Sequence, residues 1–125
     1  MTTQPVRSIR GVALVGIWQN TNPSPKLMRH VCLSQTDDGF AVRVTGADPV
    51  ESREWGETPA RMFSEALNSQ EGSAFTARFE RNGFASVLQS YVVKGVLVIV
   101  SMTRFRDATG ERSIFTKEFF YRELQ

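Results

Sequence analysis

Short glycine-containing turns divide most of this chain of 125 residues into runs in which apolar and polar side chains alternate. The turns lie at Asp37-Asp38-Gly39, Asn82-Gly83, Lys94-Gly95 and Ala108-Thr109-Gly110. Alternation with a period of two indicates half-buried strands, and Asn-Gly or Asp-Gly between two such runs indicates a hairpin. We expect a type I′ turn at Asn82-Gly83. Because a parallel crossover needs a dozen or more residues, the short links predict antiparallel neighbours.

The runs predict an all-β fold, an eight-stranded antiparallel up-and-down barrel. The strands are expected at about 12–19, 26–35, 40–45, 60–67, 73–80, 84–93, 96–106 and 112–123. Eight strands close around an interior just wide enough for side chains or for one small ligand. We expect one barrel domain over residues 11–125, preceded by a polar N-terminal arm at 1–10, since a chain of this length suits a single domain.

The segment after residue 46 is consistent with two interpretations. Residues 46–54 are polar and predict a loop, and Trp55-Gly56-Glu57 follows them. Residues 59–67 fit a helix, with Thr58 as N-cap, Pro59 at the first position and apolar residues at helical spacing. The regular succession of strands elsewhere favours a short edge strand, which is the interpretation we adopt.

Charge and hydropathy exclude several classes of partner. The chain has 15 basic and 13 acidic residues, and the basic ones are scattered, so we expect no nucleic-acid partner. The longest apolar run, 96–100, is far too short to span a bilayer, and no secretory signal precedes it. We therefore expect a cytoplasmic protein that does not bind membranes.

The chain has one cysteine and one histidine, and they lie two residues apart. A single cysteine forms no internal disulfide, which fits a reducing compartment. Cys32 lies in an apolar run and predicts a small buried hydrophobic side chain, although a Cys32–His30 pair on one strand face stays open. One His and one Cys give no metal-binding spacing, so we expect neither a metal nor a cofactor.

Gly16-x-Trp18 at the start of the first strand, together with Arg122 in the last, resembles the calycin superfamily of lipocalins, fatty-acid-binding proteins and avidins. The resemblance implies that the tryptophan closes one end of the barrel and that the basic residue packs across it. A guanidinium group can stack on an indole face and donate to nearby carbonyl groups. Barrel closure is thus the role implied for Trp18 and Arg122.

The avidin branch matches in length and strand count. The residues that match its Gly-x-Trp-x-Asn motif and the serine beyond it are Gly16, Trp18, Asn20 and Ser24. In avidin-like proteins the last two help to hold a polar oxygen of the ligand. This chain departs at Val44-Thr45, where a tyrosine is expected, and it has only Trp55 beyond Trp18. We therefore do not expect it to bind biotin.

The chain is also similar to uncharacterised bacterial barrel proteins. This resemblance covers nearly the whole sequence and rests on Trp55-Gly56-Glu57 and on Thr103-x-Phe105-x-Asp107. It implies the fold but no activity.

If Arg122 packs on Trp18, the period of two fixes which side chains of the last two strands face inward. These are Ile114, Thr116, Glu118 and Phe120, and Leu97, Ile99, Ser101, Thr103 and Phe105. An apolar lining with a few polar groups is typical of a small-molecule pocket. The residues predicted to bind a ligand are Asn20, Arg43, Trp55, Ser101, Thr103, Thr116 and Glu118.

Glu118 is the candidate for chemistry, because burial raises the pKa of an unpaired carboxyl group. One interpretation pairs it with Arg43, Arg104 or Arg29 as a structural ion pair. The other makes it a ligand anchor or a general acid–base.

The opposite faces of the last two strands are unusually apolar. The outward residues are Val96, Val98, Val100, Met102, Phe115, Phe119 and Tyr121. A solvated barrel wall alternates with polar residues, and a dense apolar patch marks a partner surface. We predict a homo-oligomer, most simply a symmetric dimer, that packs through the last two strands.

Three functions remain open from the sequence. The favoured one is binding of a small, partly apolar molecule inside the barrel. The second is an enzyme without a cofactor, an isomerase or cyclase of a biosynthetic pathway that uses Glu118 or Tyr91 for proton transfer. The third is a barrel filled by its own side chains that acts as a protein-interaction module.

Overall fold

A computed structural model describes residues 13–47 and 54–124, and there the chain forms a closed antiparallel barrel. Each strand pairs with the next along the chain, and the last pairs with the first. The eight strands are β1 (Gly16–Asn20), β2 (Met28–Thr36), β3 (Gly39–Gly46), β4 (Glu54–Ser64), β5 (Gly72–Arg81), β6 (Phe84–Val93), β7 (Val96–Asp107) and β8 (Gly110–Arg122). The predicted fold class is confirmed. The predicted arm at 1–10 lies outside the described residues.

The pairing of β1 with β8 closes the barrel and defines its two ends. Trp18 lies opposite Arg122, and Asn20 lies opposite Phe120. Because neighbouring strands run in opposite directions, the start of β1 and the end of β8 lie together at one end, which we call the floor. The end of β1 and the start of β8 lie at the other, which we call the mouth.

Alternate side chains along every strand fill the interior. The largest fully buried ones include Trp18, Phe75, Phe79, Phe120, Leu88, Leu97 and Ile99. Burying one such side chain contributes about 1.5–3 kcal/mol, so this layer accounts for most of the driving force for closure. The predicted inward faces of β7 and β8 are confirmed, with Phe105 and Ile114 less buried because they lie at the mouth.

The strand interpretation of the middle segment is confirmed, but its bounds and its edge position are wrong. β4 begins at Glu54, ends at Ser64 and pairs with both β3 and β5. Thr58 does not cap a helix, because its hydroxyl group donates to the Arg78 carbonyl oxygen at 2.8 Å. Pairing on both sides therefore overrides the local helix signals.

Other strand bounds differ from the prediction at the ends. The first strand begins at Gly16, since residues 13–15 form a turn and its approach, and Val12 lies outside the described residues. Gly46 and Glu54, expected in a loop, end β3 and begin β4. Residues 48–53 between them are not described.

The type I′ geometry expected at Asn82-Gly83 is instead found at Lys94-Gly95. Both residues of that pair have positive φ, 51° and 79°, as this turn requires. In the other pair only Gly83 has positive φ. Gly83 also accepts a hydrogen bond from the Arg106 N–H at 2.8 Å, so a contact with the end of β7 shapes this turn.

Cys32 lies on the outer face and is half-buried, so its prediction as a buried core side chain is wrong. The alternation of β2 directs Val31 and Leu33 inward and leaves Cys32 between Ile17 and Arg43 on the neighbouring strands. The part of the chain that is described contains no helix long and apolar enough to cross a membrane.

Candidate binding site at the barrel mouth

Trp18 and Arg122 meet at the floor end, as the sequence predicted. The Arg122 guanidinium carbon lies 4.6 Å from the centre of the indole ring. Arg122 also donates to the carbonyl oxygens of Ala13 and Val15, and Trp18 Nε1 donates to the Leu14 carbonyl oxygen at 2.8 Å. These contacts join the segment before β1 to the end of β8.

Gly16 leaves room for the Arg122 guanidinium group to lie on the Trp18 ring. Its φ is +144°, and a Cβ atom at this position would lie 3.0 Å from Arg122 Nη1. A larger residue would therefore be strained and would also push the guanidinium group off the indole ring. The Gly16-x-Trp18 spacing thus has a packing reason in this chain.

A β-bulge directs Trp55 into the mouth end. Thr45 lies opposite Glu54 and Val44 lies opposite Gly56, so Trp55 is the extra residue of the bulged strand. Gly56 adopts the φ of +84° that this irregularity requires. Trp55 is only 6% exposed.

An aromatic layer surrounds Trp55 beneath the mouth. The ring of Trp55 packs edge-on against Phe79 and Phe84, with centroid distances of 5.4 and 4.7 Å. Phe84 in turn packs against Phe105 at 5.2 Å. Edge-to-face pairs of this kind stabilise beyond the area they bury.

Arg81 at the mouth has a position similar to that of Arg122 at the floor. Its Nη2 would lie 3.1 Å from a Cβ atom at Gly56, and it donates to the Glu57 carbonyl oxygen at 3.3 Å. Its guanidinium carbon lies 5.6 Å from the centre of the Phe79 ring. A glycine–arginine contact beside a buried tryptophan therefore occurs at both ends, and this explains the Trp55-Gly56-Glu57 element.

A cleft of about 500 Å³ lies at the mouth, outside the aromatic layer. Its aromatic lining consists of Trp55, Phe84 and Phe105, and Leu27 and Ile114 add aliphatic surface. The charged residues that line it are Lys26, Arg106, Asp107 and Arg112. The cleft therefore combines an aromatic surface with an ionised rim.

Cations outnumber carboxylates among the residues that line the rim, although Arg106 also pairs with Glu111 at 3.3 Å. Among its lining residues, three cations stand against the single carboxylate of Asp107. Hydrogen bonds from the Thr109 hydroxyl and N–H groups lower the pKa of Asp107, and the charge of Arg112 adds to this effect. Asp107 therefore stays ionised at neutral pH, and it pairs with Arg112 at 3.2 Å.

Glu118 and Asn20 lie behind the cleft and hold the loop that forms one side of it. Asn20 Nδ2 donates to Glu118 Oε2 and to the Met28 carbonyl oxygen, each at 2.8 Å. The Leu27 N–H donates to the same carboxylate oxygen at 3.3 Å, and the Leu27 carbonyl oxygen accepts from the Ala47 N–H at 2.9 Å. Both side chains thus position residues 21–27.

The carboxyl group of Glu118 is buried and only partly satisfied. The residue is 6% exposed, and Oε1 has no hydrogen-bond partner among the described residues. Burial raises the pKa of Glu118, while the hydrogen bonds from the Leu27 N–H and Asn20 oppose that shift. The ion pair expected with Arg43, Arg104 or Arg29 does not form within the described part of the chain, because no cation there lies within reach of its oxygens.

The other polar residues expected to bind a ligand form hydrogen bonds between hydroxyl groups inside the barrel. The Ser101 and Thr116 hydroxyl oxygens lie 2.5 Å apart, and those of Ser86 and Thr103 lie 2.8 Å apart. Such pairs satisfy buried hydroxyl groups at little cost. Of the seven predicted binding residues, only Trp55 lines the cleft.

The prediction that Arg43 binds a ligand inside the barrel is wrong, because Arg43 lies on the outer face. Its guanidinium group pairs with Glu54 at 3.4 Å and with Glu57 at 3.8 Å. Val42 and Val44 occupy the inward positions on either side of it. Period two in β3 therefore places Arg43 in solvent.

Two further expectations are wrong in position. Ser24 is exposed whereas Asn20 is buried, so the two do not face a common point as the avidin resemblance implied. Tyr91 is 40% exposed on the outer wall and cannot transfer a proton inside the barrel.

Sequence reasoning missed the cationic residues and the loop residues of the cleft. The sequence placed Lys26 and Leu27 at the start of the second strand, but β2 begins at Met28 and both residues lie in the loop before it. Arg106 and Arg112 flank the same short turn between two predicted strands. Two cations on either side of one turn are the sequence signal that could have indicated a cationic site at this end of the barrel.

Comparisons with protein-family models, with curated proteins and with solved structures found no match to this chain. The described residues contain no group of three or more His, Cys, Asp or Glu side chains placed to hold one metal ion.

Proposed function

We propose that this protein binds a small, partly apolar molecule with a negatively charged group, and that the site is the cleft at the barrel mouth. The observation that carries the proposal is the cleft of about 500 Å³ at the mouth, which is lined by aromatic rings and by cationic side chains. Volumes of roughly 300–1,000 Å³ are typical of ligand sites.

The position of the cleft follows from how the barrel is filled. The interior that the sequence assigned to a ligand is occupied by buried aromatic and aliphatic side chains. Trp55 covers these side chains at the mouth, and its neighbours Phe84 and Phe105 are only half-buried. Half-buried aromatic rings present apolar surface that a ligand can remove from water.

The rim gives the expected preference for charge. Lys26, Arg106 and Arg112 approach the cleft from the loop and from both sides of the β7–β8 turn. Asp107 pairs with Arg112 at 3.2 Å and Glu111 pairs with Arg106 at 3.3 Å, so Lys26 is the rim cation that forms no ion pair with the described residues. The oxygens of a carboxylate or a sulfonate group can accept two parallel hydrogen bonds from a guanidinium fork.

Titration with anilinonaphthalene sulfonate, followed by its fluorescence, tests this proposal. The probe combines fused aromatic rings with one sulfonate group. We expect saturable binding with one site per chain. Arg112→Ala is expected to weaken binding about tenfold, because a hydrogen bond to a charged group contributes about 1.5 kcal/mol.

Two matched variants control for charge and for exposed apolar surface. Arg78→Ala removes an arginine from the outer wall, and Phe115→Ser removes an exposed ring from that wall. Neither is expected to change the affinity of the probe. If Arg112→Ala leaves the affinity unchanged, or if Phe115→Ser abolishes binding, the cleft is not the site.

A further inference from the structure

The outward side chains of β6, β7 and β8 form a continuous apolar surface, which we call the outer wall. The strand registers arrange them in four rows, one residue from each strand. The rows are Val87–Met102–Phe115, Gln89–Val100–Lys117, Tyr91–Val98–Phe119 and Val93–Val96–Tyr121. Only Gln89 and Lys117 interrupt the apolar and aromatic character of these rows.

Much of this surface is in contact with water. Met102 and Phe115 are 59% and 66% exposed, and five more large side chains of the wall are between 39% and 48% exposed. Val98, by contrast, is only 2% exposed, although it faces outward, because Tyr91 and Phe119 flank it in the same row. The third row is therefore already packed as an apolar ridge.

The registers extend the ridge beyond the last two strands. Tyr91 lies opposite Ala74 of β5, and Ala74 lies opposite Phe63 of β4, which is 43% exposed. The apolar ridge thus crosses five neighbouring strands, from Phe119 to Phe63. Sheets that pack face to face need such an uninterrupted inner face.

The charges around the wall are nearly balanced. Arg104 pairs with Glu111 at 3.8 Å, and Arg78 pairs with Glu80 at 3.8 Å, at the mouth end of the wall. The ammonium group of Lys117, the cation within the wall, lies 6.0 Å from the centre of the Phe119 ring. The wall therefore offers little net charge to attract a strongly charged partner. A second copy of the same, nearly neutral wall can pack against it without repulsion.

The area available matches what a dimer needs. A fully buried aromatic side chain removes about 150–250 Å², so the four aromatic side chains of the wall, which are about half exposed, offer roughly 400 Å² per copy. Val87, Val93 and Met102 are smaller and add to this area. Together these side chains offer roughly 600 Å² per copy, so two copies bury roughly 1,200 Å², at the lower end of the range of specific interfaces, and the patch lies at the upper end of the roughly 300–600 Å² typical of a monomer.

We infer that the outer wall binds the outer wall of a second copy of this chain and forms a symmetric dimer. The two walls pack as aligned sheets, with the Phe63–Phe119 ridge at the centre and both mouth clefts free. The self-complementary contact is isologous, so it closes at two copies.

Sedimentation velocity over a concentration series tests this inference. We expect particles of about 28 kDa, twice the chain mass of 14.1 kDa, at micromolar concentrations. Met102→Glu and Phe115→Glu, which place a carboxylate in the first row, are expected to raise the dissociation constant at least tenfold. Leu67→Glu, at a fully exposed residue between β4 and β5, is the matched control and leaves the dimer intact.

Each other outcome contradicts the inference. Particles of 14 kDa up to 100 µM would show that a second copy does not cover the wall. A dimer that survives both wall variants would lie on another surface, and larger assemblies would exclude a closed pair. Circular dichroism of Met102→Glu and Phe115→Glu confirms that a loss of dimer is not a loss of fold, since both side chains are exposed in the barrel.

Discussion

The polar contacts at both ends of the barrel depend on single residues with little tolerance for change. Gly16 lies against Arg122, and Gly56 lies against Arg81. In each case a guanidinium group occupies the space that a side chain would need. Packing of an arginine against each glycine therefore accounts for the Gly16-x-Trp18 and Trp55-Gly56-Glu57 motifs without a ligand.

Gly16→Ala is expected to destabilise the protein more than Gly39→Ala, although both glycines have a φ of +144°. Each substitution adds backbone strain of about 1–3 kcal/mol. Only the first adds a clash, because a Cβ atom at Gly39 meets nothing within 4 Å. Displacing Arg122 from Trp18 adds about 1 kcal/mol to the loss, which urea unfolding measures. Equal losses in the two variants would show that the Trp18–Arg122 contact contributes nothing.

Glu118→Gln is expected to change how stability depends on pH. Burial raises the pKa of Glu118 in the folded state above its ordinary value of 4.5. The folded state therefore binds more protons than the unfolded state, so the free energy of unfolding falls as pH rises from about 4.5 through the folded-state pKa. The amide cannot ionise and lacks this fall, while its oxygen still accepts from Asn20 and the Leu27 N–H.

Urea unfolding of both proteins between pH 4 and pH 8 checks this prediction. The stability of Glu118→Gln relative to the wild type is expected to increase with pH across that window. Glu80→Gln removes an exposed carboxyl group of β5 and is the matched control for the loss of one carboxylate. Parallel curves for the wild type and Glu118→Gln would contradict the assignment of a costly buried charge.

At the scale of elements, hairpins and bulges decide where side chains point. The extra residue in β4 turns Trp55 inward, and the positive φ of Gly56 makes this possible. The Lys94-Gly95 turn joins β6 to β7 in a conformation that lysine adopts reluctantly, with a φ of 51°. This turn closes the β6–β7 hairpin of the outer wall.

Lys94→Asn is expected to stabilise the protein by about 0.5–1 kcal/mol, because asparagine tolerates the left-handed region and Asn-Gly is the preferred pair in type I′ turns. The increase appears in the urea midpoint without a change in slope. Lys94→Ala removes the same charge without the conformational benefit and serves as the control. A variant Lys94→Asn no more stable than Lys94→Ala would contradict the turn assignment.

Much of the architecture could be predicted from the sequence, because period two and short turns are local signals. The number of strands, their order and the inward faces of β7 and β8 follow from them. The residues at the mouth do not. Trp55 faces inward because of a bulge that alternation does not reveal, and Arg43 faces outward although its position was assigned to the interior.

The described residues form a barrel with two features on its surface, a cationic cleft at the mouth and an apolar wall on one side. Buried aromatic and aliphatic side chains occupy the interior in which the sequence predicted a ligand. The two features are independent, since the cleft lies at the strand ends and the wall lies along β6–β8. Loss of the proposed dimer is therefore expected to leave binding of the probe at the cleft intact, and loss of binding at the cleft is expected to leave the dimer intact.

The two tryptophans offer the most direct test of the proposed site, because Trp18 lies at the floor and Trp55 beneath the cleft. In a proton–nitrogen correlation spectrum each indole N–H gives its own signal. Titration with anilinonaphthalene sulfonate is predicted to shift the Trp55 indole signal and the Arg112 backbone signal to saturation while the Trp18 indole signal stays in place. Shifts confined to Trp18, or to the outer-wall residues Met102 and Phe115, would contradict binding at the mouth.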